Sequence, residues 1–191
     1  MPEPAVRATW SQRLLRSISG LPEPTRERAL RDVPVAVLEA IASAGRLEWI
    51  PIEHHVALLD GAHDALGDRY VEFYRRMVVD NLKDGMLSSL VSGGIRLFGI
   101  GPDTLVKVLP RAFATMARGC GELRFERLAA NAGTLVELRG LPPALRQRDT
   151  YGLTIQAVLE ACYAIGRRTG SCELDTTSLR AGVLRYHMKM D

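Results

Sequence analysis

Apolar residues recur every three or four positions through most of the chain and every second position near its end, the periods of helix and of half-buried strand. Val6, Trp10, Leu14 and Ile18 stand four apart and predict a helix over 5–19. Gly20 and Leu21-Pro22-Glu23-Pro24 end it, because proline withholds a backbone donor. Val35, Leu38 and Ile41 predict a second helix over 34–44, stopped by Gly45. A third starts at Pro51 with the stripe Ile52, Val56, Leu59, His63 and Leu66; Gly67 closes it, and Asp68 can cap the next. Tyr70, Phe73, Tyr74, Met77 and Val78 give the helix over 69–81 a broad aromatic face. Residues 85–98 continue with Met86, Leu87, Leu90, Val91 and the Ile95–Phe98 patch. Gly93-Gly94 interrupts them at about 2 kcal/mol of helix propensity, which implies a bend or a close approach. A helix over 104–117 presents Leu105, Leu109, Phe113 and Met116, with Pro110 expected to kink it.

After Gly119 the period changes to two. Leu123 and Phe125 alternate with Glu122, Arg124 and Glu126, and Asn131-Ala132-Gly133 reads as a hairpin turn into Thr134–Arg139. The helix over 151–166 is apolar on most of its surface, through Ile155, Val158, Leu159, Cys162 and Ile165. It therefore has to be covered nearly all round and is expected across a sheet. Cys172 and Leu174 mark a third strand. In 183–190, Leu184, Tyr186, Met188 and Met190 face one way and Val183, Arg185, His187 and Lys189 the other. The fold class expected is α+β: N-terminal helices on a C-terminal antiparallel sheet, with one long apolar helix between its two hairpins. One domain is expected over 1–191, with an N-terminal helical part (1–66) and an α+β core (67–191).

Composition narrows the function classes. The chain is 47% hydrophobic and 25% charged, with a formal net charge of +3, which is ordinary for a globular protein. Arg111, Arg118, Arg124 and Arg127 are interleaved with Glu122 and Glu126, so no basic stripe marks a nucleic-acid partner. Cys120, Cys162 and Cys172 are odd in number and lack CxxC spacing; the expectation is a reducing cytoplasm, without disulfides or zinc. No signal peptide or membrane span is expected.

Candidate chemistry is sparse. His63 interrupts an apolar stripe and reads more readily as a core histidine than as a ligand. His55 and His63 are eight residues apart, about 12 Å along a helix, and cannot share one metal. Ser88, Ser89 and Ser92 have no neighbouring base. Gly99-Ile100-Gly101 lacks the rest of a phosphate loop. Asp60, Asp64 and Asp68 read as a solvated helix face. Cys162 reads as a small core hydrophobe and Cys120 as the better candidate for an exposed thiol. No catalytic residue, metal site or cofactor is expected, and the chain reads as a non-enzyme.

The apolar surplus of the middle helices is the stronger signal. If the glycine pair and Pro110 open the packing, Phe73, Met77, Phe98, Phe113 and Met116 would line a pocket for a small apolar ligand. The alternative use of such a surface is a homodimer interface, through these helices or a sheet edge.

From residue 70 onward, LVKVLPRAF (105–113), GELRFERL, NAGTLVELRGLP, the apolar helix and the last strand resemble a myxobacterial protein family about 190 residues long. That family is remotely similar to haem-nitric-oxide-binding sensor domains, four-vinyl-reductase-type small-ligand domains and TRAPP trafficking subunits. The resemblance implies several helices on an antiparallel sheet and a role in sensing or assembly. It does not carry haem with it. Such relatives place the iron-ligating histidine on the helix before the first strand, where this chain has Phe113 and no histidine over 104–117. The Tyr-Ser-Arg clamp for the propionates is also missing, with Val136-Glu137-Leu138-Arg139 nearby, so any haem would need another ligand such as His63. The zinc-type cysteine cluster is not visible either.

Overall fold

The computed structural model describes residues 3–84, 102–128 and 133–190. The helix expected over 85–98, its glycine pair and Phe98 lie outside them. In chain order the elements are β1 (Ala5–Arg7), α1 (Ala8–Ser19), α2 (Glu23–Leu30), α3 (Val35–Ser43), β2 (Trp49–Pro51), α4 (Ile52–Leu66) and α5 (Tyr70–Asp84). There follow α6 (Pro102–Met116), β3 (Ala117–Arg118), β4 (Glu122–Arg127), β5 (Thr134–Arg139), α7 (Thr150–Ile165), β6 (Gly170–Asp175) and β7 (Val183–Met190).

The α+β class holds. β4 to β7 form an antiparallel sheet in the order β4-β5-β7-β6. The period-two pattern sets its faces: Leu184, Tyr186 and Met188 are buried and stand beside Leu138, Val136 and Thr134 in register. The apolar helix α7 connects the two hairpins. It packs on β6 from one side while α4, α5 and α6 close over it from the others. Gly152 allows the approach to the sheet, since a Cβ there would already sit 3.1 Å from Leu174. A hydrogen bond of 2.6 Å between Tyr70 Oη and Thr154 Oγ1 joins α5 to α7.

Three features differ from the expected elements. Residues 5–7 are not helical. Val6 pairs with Ile50 and with Ala117, making the three-stranded sheet β2-β1-β3 that gathers the starts of α1 and α4 and the end of α6. Second, Pro22-Glu23-Pro24 does not only end α1. Pro24 lies in the first turn of α2, where the missing N–H has no helical acceptor to lose. Third, α2 rotates the buried face of α4. Its backbone lies so close that a Cβ on Gly61 would be 2.1 Å from the Ala29 carbonyl oxygen. The buried residues of α4 are consequently Ile52, His55, Leu58, Leu59, Ala62, Ala65 and Leu66, with Val56 and His63 half-buried at the margin. α6 runs through Pro110 as one helix. One hydrophobic core extends from Val6 to Met188. Among the described residues no helix is long and apolar enough to cross a membrane.

Candidate functional site: an apolar cavity with few polar groups

A cavity of about 90 Å³ lies between α6 and α7. Helical spacing builds both principal walls. Val108, Leu109, Ala112, Phe113 and Met116 form one face of α6, and Tyr151, Thr154, Ile155, Val158, Leu159, Cys162 and Ile165 one face of α7. Trp10 of α1, His55 of α4, Val78 of α5 and Leu123 of β4 complete the enclosure, with Val6 and Ala117 from the small sheet.

The polar groups in this wall are few. Thr154 Oγ1 is spent on Tyr70 and on the Thr150 carbonyl, which it reaches at 2.9 Å. Trp10 Nε1 donates to Tyr74 Oη at 2.5 Å. His55 is 2% exposed, and its Nδ1 meets Ser11 Oγ at 2.8 Å. Burial pushes the His55 imidazole down to about 3, because no carboxylate offsets the lost hydration of the cation. Burial likewise raises Tyr151 well above the usual phenol range and Cys162 to about 12. At neutral pH these three groups of the wall are uncharged.

The five residues singled out from the sequence separate. Phe113 and Met116 line the cavity. Met77 is buried in the core and Phe73 packs partly buried against it, but α5 turns Val78 to the cavity instead. Phe98 is outside the described residues.

His63 lies away from the cavity, half-buried, edge-on to Tyr70 at 5.4 Å and with Nδ1 3.5 Å from Asp64 Oδ1. The histidine that does reach the cavity, His55, was legible as part of the run Ile52, His55, Leu59, Ala62, Leu66. Tyr151 went unremarked because it opens its helix.

Two other expectations are corrected. Asp60 and Asp64 are not simply solvated. Arg148 binds Asp64 with both guanidinium arms and stands 3.8 Å from Asp60, tying the segment before α7 to α4. Cys120 is not an exposed thiol but 1% exposed, pushed up to about 11 by burial. Among the described residues no group of three potential metal ligands comes together.

No protein-family model matches the chain, and no curated protein matches it. Solved structures do. An H-NOX protein from K. algicida, in the Fe(II) unliganded form, superposes with a TM-score of 0.61 at 5% identity, covering 97% of this chain and 96% of that one. A single-residue variant of Tt H-NOX gives 0.60 at 14% identity, covering 97% and 95%. An oxygen-binding H-NOX domain related to soluble guanylate cyclases gives 0.56 at 14% identity, also covering 97% and 95%. This chain has the H-NOX fold. At such identities the likeness extends to the H-NOX backbone arrangement and not to its side chains.

Proposed function

We propose that the chain is a non-enzymatic sensory or regulatory domain that binds a small apolar ligand in the cavity between α6 and α7. The observation that carries this is the cavity itself, walled by apolar side chains from α1, α4, α5, α6, α7 and β4 and containing only a few polar groups, the usual form of a small-ligand site. Its similarity to an oxygen-binding H-NOX domain and to an Fe(II) unliganded H-NOX protein supports a sensing role by analogy of fold.

The described residues do not fit haem. The cavity is about 90 Å³, whereas an engineered cavity of about 150 Å³ accommodates a single benzene ring; a porphyrin is several times larger. Among the described residues its wall has no arginine or lysine to meet propionates. Arg139 is exposed and paired with Glu137. Phe113 occupies the wall of the helix on which the resemblance puts an iron-ligating histidine. The ligand suited to this space has a handful of heavy atoms.

Solvent extraction of the purified protein, followed by gas chromatography and mass spectrometry, tests the reading. A stoichiometric small molecule retained by the native chain and lost from Ala112→Leu, whose larger side chain takes up much of the cavity, is the expected result. An empty protein that also takes up nothing from a panel of small volatile hydrocarbons and ketones would contradict it.

A homodimer through the sheet edge is the second reading. Its basis is Phe125 on edge strand β4, an apolar side chain 42% exposed. Sedimentation at micromolar concentration separates the two readings, with a dimer weakened by Phe125→Glu supporting this one.

A further inference from the structure

Ser11 is fully buried, and the one hydrogen bond of its hydroxyl among the described residues is to His55 Nδ1 at 2.8 Å. A hydroxyl carries a single proton. If Nδ1 were the donor, that proton would be left without an acceptor inside the protein, which folded structures avoid. Ser11 therefore donates, Nδ1 accepts, and the neutral ring carries its proton on Nε2.

Nε2–H has no acceptor among the described residues, yet it is not one of the buried side-chain atoms sealed off by protein. His55 is 2% exposed and walls the cavity, so the open side of its ring is the cavity. Tyr151 repeats the situation. It is 6% exposed and walls the same space. Its hydroxyl has no hydrogen bond to any described residue, and it is not sealed either. Two donors without acceptors thus border an otherwise apolar hollow. A purely hydrocarbon guest would leave both unsatisfied.

Building on the reading of this cavity as a ligand site, we propose that its guest is a small aliphatic molecule with one hydrogen-bond-accepting oxygen, of the ketone, aldehyde or ether class. His55 Nε2–H is the primary donor to that oxygen and the Tyr151 hydroxyl the second. Carboxylates and phosphates are disfavoured, since among the described residues no lysine or arginine lines the wall.

The test uses the full chain with ¹⁵N-labelled histidine and two four-heavy-atom probes that suit the small space, acetone and its oxygen-free counterpart isobutene. In the free protein the His55 ring should show a protonated Nε2 and an unprotonated Nδ1. Acetone should bind about tenfold tighter than the hydrocarbon, the order of one well-made buried hydrogen bond, and should shift the Nε2–H resonance while the hydrocarbon does not. Tyr151→Phe should lower that preference severalfold. The double variant Ser11→Ala/His55→Phe, which leaves no orphaned hydroxyl, should lower the preference further still, and adding Tyr151→Phe to it should abolish the preference. A proton on Nδ1, or equal affinity for both probes, would overturn the assignment of the oxygen and leave the cavity reading standing. If neither probe binds, both fall.

Discussion

His55 concentrates what is unusual about the site in one side chain: an imidazole with no carboxylate partner, buried beside a hollow and held by a serine. Its folded pKa of about 3 lies below the ordinary 6.5, so the unfolded chain binds a proton that the native one refuses. Stability from this group is complete above about pH 6.5 and falls as the pH drops toward 3. The slope is about 1.4 kcal/mol per pH unit, or about 2 kcal/mol between pH 6.5 and pH 5. Glu137 and Asp64, held low by Arg185 and Arg148, lose their contributions only as the pH falls through the carboxylate range. Urea unfolding of the wild type and of His55→Gln at pH 6.5 and pH 5 separates the windows; the variant should lose the slope. A second residue-scale expectation concerns the bond between α5 and α7. Tyr70→Phe should cost about 1 kcal/mol in the same assay, because Thr154 keeps its backbone partner. Side-chain chemistry was the least legible part of the sequence. Whether His55 or His63 faces inward depends on helix rotation, and that was set by a neighbour the sequence had not disclosed.

That neighbour is α2. Read by itself, Pro22-Glu23-Pro24 is punctuation, and Glu23–Leu30 has too little amphipathic contrast to announce a helix. Its role shows in the packing, where Ala29 meets Gly61 and turns α4 about its axis. Intrinsic propensity would favour alanine over glycine in a helix by about 1 kcal/mol. At position 61 the backbone contact should win: Gly61→Ala is expected to destabilise by about 3 kcal/mol, lowering the midpoint of thermal unfolding by about 10 °C. The long elements were legible because many turns repeat their period, as in α7 and in the alternation of β7. β1, β2 and β3 were not, since two or three residues cannot display a period, and their pairing is a long-range event.

At the scale of the molecule, the pattern of helices followed by hairpin, helix and hairpin was sufficient to give the α+β class, and α7 packs on β6 with α4, α5 and α6 around it. The site was only half legible. α6 was recognisable as an apolar face with Phe113 and Met116, but the opposite wall comes from α7, whose residues read as ordinary core. Ala112→Leu should raise stability by about 1–2 kcal/mol, as added methylenes fill space without displacing side chains. The most direct measurement is ¹²⁹Xe NMR on the wild type and on this variant, since xenon enters dry apolar cavities whatever their natural guest. Saturable xenon binding by the wild type, lost in Ala112→Leu, is the result predicted. Xenon shifts that rise linearly and identically for both proteins would contradict a guest-sized hollow between α6 and α7.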